Sequence, residues 1–145
     1  MLLYFKSFLL LNYWLVKSEP VKYSWTDFTA EGRTEWTGVR NFQARNYLHQ
    51  MQPGDLVLFY HSVTDKNVVG VAEVSRAAAP DSTAEAGSGW VAVELTPHQA
   101  LARPLSLAQI KQDERLTQIG LLRQSRLSVM PLQPAEFDVV LELGS

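Results

Sequence analysis

The residues best suited to recognition chemistry lie in one short segment, residues 36–46, with the sequence WTGVRNFQARN. Its first residue, Trp36, offers an indole ring that can stack on a flat heterocycle. A helix that begins soon after the glycine would present free N–H groups and a positive dipole end, which suit a phosphate. Arg40 and Arg45 can add two-pronged phosphate contacts, and Asn41 or Asn46 can pair with a base edge. The same pattern also fits a core tryptophan followed by an ordinary amphipathic helix.

Two further polar runs follow apolar stretches of the sequence, KSEP at 17–20 and FYHS at 59–62. Polar residues that directly follow a buried strand sit at the rim of a sheet, where ligands approach. Because side chains alternate along a strand, the first and third residues of FYHS share one face, and the second and fourth share the other. Either pair could line a pocket together with Trp36. KSEP equally fits a solvated turn, and a lone histidine at a strand end is more often structural than catalytic.

The formal net charge of -2 restricts how this chain could bind nucleic acid. A protein that coats DNA without selectivity neutralises many phosphates and is usually basic. A local basic patch would have to serve instead, built from Arg40, Arg45 and Arg126. The arginines around position 126 are a weak signal by themselves, because most exposed arginines only solvate a surface. The acidic residues at 136, 138 and 142 should lie elsewhere.

The composition is that of one globular domain without an evident catalytic or metal centre. The 145 residues match an ordinary domain, with 46% hydrophobic and 19% charged residues. No cysteine is present, which excludes disulfides, thiolate zinc sites and cysteine nucleophiles and fits a reducing, cytoplasmic compartment. The three histidines fall in separate elements without ligand spacing, so we expect no metal and no cofactor.

Residues 1–11, MLLYFKSFLLL, are predicted to be a leader or an extension of the first strand, and residues 12–145 to be a single domain. A signal peptide is the alternative interpretation. Against it, Lys6 interrupts the apolar run, and no small-residue cleavage site follows. The run is also shorter than the roughly 20 apolar residues that span a bilayer, so we expect no membrane partner.

Hydrophobic periodicity and turn signals predict short strands with helices between them. The predicted strands are residues 9–16, 34–37, 56–60, 68–74, 90–95 and 127–130. A short helix begins after Ser24, and a longer one with a buried face covers residues 39–51. Further helices follow Ser106 and begin at Pro134. Residues 77–89, rich in alanine, serine and glycine, form the predicted mobile loop.

Five to six strands separated by turns and single helices favour a mixed, β-rich α+β domain, a small and partly closed barrel. A doubly wound parallel sheet is disfavoured, because the sequence has no G-x-G-x-x-G or Walker-type glycine loop. No repeat, heptad pattern or linker interrupts the chain.

Several segments, taken in order along the chain, resemble the EVE domain family. They are YWLVKSEP at 13–20, WTGVRNFQARN at 36–46, GD at 54–55 with FYHS at 59–62, GVAEV at 70–74 and RLSVMP at 126–131. The similarity runs over residues 13–143. The family, which includes stand-alone bacterial domains, is PUA-like. The resemblance therefore implies a PUA-like pseudo-barrel of five to six strands with short helices packed around it.

The resemblance also implies a function, the binding of modified bases in DNA or RNA, for which 5-substituted cytosines are the usual suggestion. The fold is similar to that of YTH readers of methylated adenine, which carry a Lys-Ser pair after the first strand and a cage tryptophan in the following segment. By this similarity Trp36 is one wall of an aromatic cage, KSEP surrounds the base edge, and FYHS is the floor or second wall. The implied pocket residues are Lys17, Ser18, Glu19, Pro20, Trp36, Val39, Asn41, Phe59, Tyr60, His61 and Ser62. The flanking phosphates would be held by Arg40, Arg45 and Arg126.

The chain departs from the family pattern in two places. Thr37 stands where many members have Asp, which would alter the hydrogen bonding beside Trp36 and leaves the identity of the ligand open. Residues 1–11 have no recognised counterpart in the family.

The function that these residues favour is the capture of an extruded, modified base by a monomeric reader of DNA or RNA. Extruding a base costs on the order of a few kcal/mol, and stacking it on one aromatic wall returns about 1–3 kcal/mol. Two alternatives stay open: a receptor for a free modified nucleoside or another planar metabolite, and a hydrolase of modified nucleotides built on Ser18, His61 and Glu19. Nothing like G-x-S-x-G surrounds the serine, so binding is favoured over catalysis.

Overall fold

The computed structural model describes residues 11–145, which form six strands and five helices. The strands are β1 (Tyr13–Ser18), β2 (Thr34–Glu35), β3 (Leu56–His61), β4 (Asn67–Pro80), β5 (Val91–Ser106) and β6 (Val129–Leu132). The helices are α1 (Trp25–Glu31), α2 (Phe42–Gln50), α3 (Leu107–Gln112), α4 (Gly120–Arg123) and α5 (Pro134–Leu143), with a 3₁₀ turn at Glu114–Leu116. No helix in this part of the chain is long and apolar enough to cross a membrane.

All six strands belong to one mixed sheet in the order β2-β5-β4-β3-β1-β6. Among the strands of residues 11–145, only β1 and β3 run parallel to each other. The chain between them is long enough for such a crossover because it contains α1, β2 and α2. Within residues 11–145 the sheet does not close into a full barrel, since β2 and β6 remain at its two ends. The predicted β-rich α+β fold is therefore confirmed.

The parallel pairing of β1 with β3 brings two separate polar runs to one edge of the sheet. Ser18, the last residue of β1, lies opposite His61, the last residue of β3. The amide of Ser62 continues this pairing by donating to the Ser18 carbonyl over 2.9 Å. The turns that follow the two strands therefore leave the sheet side by side, and they create the site described below.

The core packs α1 and α2 against the sheet. Phe28 of α1 is fully buried and stacks on Phe59 of β3, with ring centroids 5.3 Å apart. Trp25 of α1 lies directly over Gly70 of β4, where an added Cβ would come within 2.5 Å of the indole. Only glycine lets α1 approach β4 this closely, which explains the residue at this position.

The capping signals correctly locate three helix starts. Ser24 accepts a hydrogen bond from the amide of Asp27, and Ser106 accepts one from the amide of Gln109, each as part of a reciprocal capping box. Pro134 is the first residue of α5, as predicted.

The predicted start of the second helix at residue 39 is wrong by three residues. The Asn41 backbone is extended (φ -112°, ψ 132°), and its side chain accepts a hydrogen bond from the amide of Ala44. Asn41 is thus the N-cap, and α2 begins at Phe42. Its buried residues include Ala44 and Leu48, which the predicted apolar face contained.

The predicted loop over residues 77–89 is shorter than expected, because β4 continues to Pro80. Ala79 pairs with Ala92 and Pro80 with Val91 in the antiparallel ladder with β5. Small residues lowered the apparent strand propensity here, but pairing with β5 overrides that preference. The other strand limits also differ: β5 extends to Ser106, β6 begins two residues later than predicted, and β1 begins at Tyr13. Residues 9–10 of the first predicted strand and residues 1–10 of the predicted leader lie outside the described residues.

Candidate functional site

A cleft of about 700 Å³ opens at the edge of the sheet where β1 and β3 end together. Its walls come from the turn after β1, the segment after β2 and the turn after β3. A volume in this range is typical of small-molecule and cofactor sites. Seven of the residues predicted from sequence line the cleft: Lys17, Ser18, Glu19, Trp36, Val39, Arg40 and Ser62.

Trp36 is an aromatic wall of the cleft that is held rigidly from behind. Its amide donates to the carbonyl of Val93 over 2.8 Å, which fixes the backbone to β5. Its ring meets Phe59 edge to face, with centroids 5.5 Å apart and an interplanar angle of 81°. With 8% of its surface exposed, Trp36 borders the cleft through a small part of the ring, and the remainder packs on other aromatic side chains.

Tyr23 is a second aromatic residue of the cleft, and it was missed by the sequence analysis. Its ring lies edge-on to Trp36 at 6.3 Å, and its hydroxyl donates to the carboxylate of Glu31. Burial and this hydrogen bond raise the pKa of Tyr23 to about 12, so the hydroxyl stays protonated at neutral pH. The residue lies in a turn, where no periodicity marks it, and its nearness in sequence to KSEP was the one available signal.

The polar side of the cleft is formed by the turn that follows β1. Ser18 Oγ donates to the Tyr23 carbonyl over 2.5 Å, and this bond folds the turn back toward Trp36. Glu19 forms an ion pair with Lys22 at 2.7 Å. Lys17 Nζ donates to the carbonyl of Ser125 over 2.7 Å, and burial lowers the pKa of this lysine. The last residue of the KSEP run does not line the cleft.

The segment after β2 is held in place by Asp81, a buried residue that sequence reasoning also missed. Its Oδ2 accepts hydrogen bonds from the amide of Gly38 at 2.9 Å and from Arg40 Nη1 at 3.0 Å. Burial alone would raise the pKa of Asp81, but the hydrogen bonds from Thr83, Gly38 and Arg40 outweigh it and hold the pKa well below its usual range. Asp81 comes from the loop after β4, so no local pattern connects it with Arg40.

Several other predicted pocket residues are near the cleft without lining it. Phe59 is fully buried behind Trp36, and Asn41 uses its side chain to cap α2. His61 Nε2 accepts a hydrogen bond from the amide of Trp25 at 3.0 Å, and its Nδ1 lies 2.7 Å from Asp65 Oδ2. These three side chains support the site from below or beside it. Pro20 lies in the turn after β1.

A neighbouring cleft of about 370 Å³ contains two more of the predicted residues, Tyr60 and Arg126. It shares Lys17, Ser62 and Val63 with the main cleft. Burial and the charge of Asp65 raise the pKa of Tyr60, so its hydroxyl remains protonated at neutral pH. The predicted phosphate ligand Arg45 lies apart from both clefts, beside the exposed ring of Phe42 on α2 and the half-buried ring of Trp90 before β5.

The proposed catalytic trio is not assembled as a hydrolytic site. A nucleophilic serine needs a base within hydrogen-bond reach of its hydroxyl. Ser18 Oγ instead donates to a backbone carbonyl, and both ring nitrogens of His61 have partners elsewhere. Glu19 is paired with Lys22. Among the described residues, no group of three or more histidines and carboxylates is arranged to bind a metal ion.

The clefts concentrate positive charge in a chain that is acidic as a whole. Six of the thirteen lysines and arginines line the main cleft, the Tyr60 cleft or a third cleft near α2, against two of the fifteen carboxylates. The six are Lys17, Lys22, Arg40, Lys66, Arg123 and Arg126. This basic face is what an anionic ligand would meet.

The model of the EVE domain matches residues 12–143. This chain belongs to the EVE family. Human thymocyte nuclear protein 1 is 32% identical, in an alignment that covers 92% of this chain and 74% of the relative. Nearly the whole length of the EVE domain described here is thus related in sequence to a eukaryotic protein.

Solved structures extend the comparison of this EVE domain. A protein from Agrobacterium tumefaciens has a TM-score of 0.91 and 43% identity over 92% of this chain and 93% of that one. Human THYN1, in a crystal structure with DNA that contains 5-methylcytosine, has a TM-score of 0.86 and 32% identity over 92% of this chain and 98% of that one. A YTH domain from Zygosaccharomyces rouxii in complex with N6-methyladenosine RNA shares the fold at a TM-score of 0.59 and 18% identity.

Proposed function

We propose that this EVE domain reads nucleic acid by holding one base, modified at its edge, in the cleft beside Trp36. The observation that carries the proposal is the cleft itself, which joins aromatic side chains, a polar turn and a basic face at one edge of the sheet. The complex of human THYN1 with DNA containing 5-methylcytosine supports the same class of ligand, since the two chains align over most of their lengths.

The physical basis of capture is a balance between unstacking and restacking. Taking a base out of a duplex costs on the order of a few kcal/mol, and the cost is least for single-stranded or altered bases. Contact with an aromatic side chain returns about 1–3 kcal/mol. Trp36 and Tyr23 both border the cleft, and Phe59 packs behind Trp36 and restricts its movement. Little rotamer entropy is then lost when the base binds.

Selectivity in this proposal comes from polar groups around the base edge. Lys17, Ser18 and Thr37 line the same cleft as Trp36. A site built to hydrogen-bond a ligand discriminates strongly, because buried polar groups left unpaired are costly. The methyl or other substituent of the base would occupy apolar surface such as that of Val39.

The proposal treats the protein as a binding domain that acts as a monomer in a reducing, cytoplasmic compartment of a bacterial cell, without a cofactor. The absence of cysteine suits a reducing environment. Binding rather than turnover is supported by the engagement of Ser18 and His61 in structural hydrogen bonds.

Replacing Trp36 tests the proposed wall. Because Trp36 is largely buried, Trp36→Leu keeps apolar volume in the core while removing the flat ring, and Trp36→Phe keeps a flat ring. We expect Trp36→Leu to weaken binding to a single-stranded DNA with a central 5-methylcytosine about tenfold or more, and Trp36→Phe to retain most of it. Fluorescence anisotropy of the labelled DNA gives both affinities.

A matched control is Trp25→Leu, since Trp25 packs between α1 and the sheet and does not line the cleft. Its affinity should equal that of the wild type once melting curves show that the variant is folded. Unchanged affinity for Trp36→Leu would exclude the aromatic wall. Competition by free 5-methyldeoxycytidine that is as strong as competition by the DNA would favour a small-molecule receptor instead.

A further inference from the structure

A second aromatic group, here called the arginine–aromatic stack, consists of Phe42, Trp90, Arg40 and Arg45. The rings of Phe42 and Trp90 are stacked, with centroids 5.2 Å apart and an interplanar angle of 22°. The Arg45 guanidinium lies 4.9 Å from the Phe42 centroid and 5.6 Å from that of Trp90. The Arg40 guanidinium lies 5.7 Å from the Trp90 centroid. The stack therefore combines flat apolar surface with two positive charges.

The core of the protein does not account for this stack. Phe42 is 65% exposed, although the helix it begins, α2, buries Ala44 and Leu48 on its core face. Together with the adjacent Trp90 ring it forms an apolar patch, and such patches bordered by polar residues commonly mark a binding surface. Arg45 adds a second anomaly, because its Nε is buried and has no hydrogen-bond partner among the described residues. The Arg45 guanidinium lies over two rings, so an anionic ligand would meet its terminal N–H groups and not the buried Nε.

The stack is continuous with the main cleft through Arg40. This residue lines the cleft beside Val39 and also lies over Trp90. Asp81 fixes Arg40 in that position by accepting from its Nη1, and Thr83 accepts from its Nη2 at 3.3 Å. A strand whose base entered the cleft would therefore leave it across Arg40 and reach the open ring of Phe42.

We propose that the stack is a second nucleotide site, in which the base adjacent to the captured one packs on Phe42 and a neighbouring phosphate contacts Arg45. The inference rests on the proposed function, since it needs a strand anchored in the cleft. Stacking on an aromatic ring is tolerant of base identity. The site would therefore add affinity for a chain over a free nucleoside without adding sequence preference.

A double-mutant cycle between protein and DNA tests the proposal. The probe is a seven-nucleotide single-stranded DNA with a central 5-methylcytosine, compared with versions that are abasic at the 5′ or the 3′ neighbour. We expect Phe42→Ala to weaken binding of the intact strand about tenfold. With the abasic neighbour on the side that reaches Phe42, the same variant should have almost no further effect, because the ring has lost its partner.

Phe42 is exposed and lies at the first position of α2, so Phe42→Ala should remain folded. Phe42→Leu provides a second variant, which has apolar bulk but no flat ring. Free 5-methyldeoxycytidine should bind the wild type and Phe42→Ala equally. The second site would be overturned if Phe42→Ala lowered the affinity equally for the intact strand and both abasic strands. It would also be overturned if Phe42→Ala left the affinity for the intact strand unchanged. If Trp36→Leu still weakens binding in that case, the proposed function stands while this inference falls; if Trp36→Leu has no effect, the proposed function fails first.

Discussion

Val63 has a backbone conformation that its side chain disfavours. Its φ is 72°, and Lys66 in the same turn after β3 has a φ of 51°. Left-handed backbone costs an L-residue roughly 1–2 kcal/mol, and a β-branched side chain is the least suited to it. Val63 is also 61% exposed and lines both the main cleft and the Tyr60 cleft. Strain of this kind commonly persists at functional sites, so we expect the valine side chain to contact the ligand.

Val63→Gly should therefore make the protein more stable and a weaker binder. Glycine relieves the backbone strain, but its greater flexibility also stabilises the unfolded chain. The difference between these two effects predicts a free energy of unfolding that is higher by about 0.5–1 kcal/mol. Urea denaturation measures that change, and titration with the 5-methylcytosine DNA should show a loss of affinity.

The matched control for this change is Val21→Gly, at an exposed valine in the turn after β1 whose φ is not positive. Glycine relieves no strain there, so Val21→Gly should lower the free energy of unfolding by about 0.5–1 kcal/mol. A fall in stability for both variants would refute the strain at Val63.

At the scale of elements, the loop after β4 organises the segment after β2. Asp81 binds Gly38 and Arg40, and Ser82 donates from its amide to Glu35 over 3.0 Å. Gly38 has a φ of 86°, which a residue with a side chain would rarely adopt. Two distant pieces of chain are thereby joined beside Trp36, and the cleft depends on that junction.

Asp81→Asn should loosen this junction and destabilise the fold. The variant replaces the buried carboxylate with a neutral amide. Because the Arg40 guanidinium is 39% exposed, we expect a cost of about 1–2 kcal/mol, less than that of breaking a fully buried pair. Affinity for the 5-methylcytosine DNA should also fall, because the wall from Thr37 to Arg40 loses its anchor. Chemical denaturation and anisotropy titrations measure the two effects, with Asp113→Asn as control, since Asp113 also binds an arginine but at the surface.

The same carboxylate predicts how stability responds to acid. Because the folded state holds the pKa of Asp81 below its usual value, its contribution is fully present above about pH 4. It is lost as the pH falls from there toward the folded pKa, since the unfolded chain takes up the proton first. Between about pH 4 and pH 2 the wild type should therefore lose more free energy of unfolding than Asp81→Asn does. If the free energy of unfolding fell equally with pH in the two proteins, this role of Asp81 would be contradicted.

At the scale of the whole molecule, charge is distributed unevenly. The formal net charge is -2, yet the three clefts gather six cations and two carboxylates on one basic face. Lys22 and Arg40 are paired with Glu19 and Asp81, and the other four cations have no salt bridge among residues 11–145. Elsewhere Arg115 lies between Asp113 and Glu142, at 2.9 Å from each, so its charge is already compensated. A nucleic acid would therefore be oriented by the basic face despite the acidic total.

Binding should consequently weaken with salt. Each phosphate contact on a single strand contributes roughly -0.7 to the slope of log affinity against log salt concentration. We expect Lys66→Gln and Arg126→Gln each to make the slope shallower by about that amount, and Arg115→Gln to leave it unchanged. Anisotropy titrations at several salt concentrations provide the slopes. A wild-type slope near zero would mean that the ligand is held without phosphate contacts.

Local signals in the sequence were sufficient for much of the fold and for part of the candidate site. Ser24 and Ser106 marked helix starts because capping depends on residues three apart, and the capping serines act as predicted. The EVE motifs led to the correct family and to Trp36 as a residue of the cleft. The roles assigned to the individual cleft residues remain predictions that the variants above would test.

Long-range partners explain what the sequence could not reveal. Tyr23 contacts Trp36 from a turn, and Asp81 binds Arg40 from a loop 41 residues later in the chain. Phe59 is fully buried behind Trp36. None of these contacts has a periodicity that a local pattern could express.

The amino-acid sequence by itself determined the family, the β-rich fold and the aromatic, polar and basic residue types available for recognition, because these follow from local spacing and motif order. Only the tertiary structure decided which of them share a cleft, which are tied to structural partners, and that Phe42 remains exposed beside Arg45. The physical reason is that burial and hydrogen-bond partners depend on the parallel pairing of β1 with β3 and on the docking of distant loops, which no residue specifies alone.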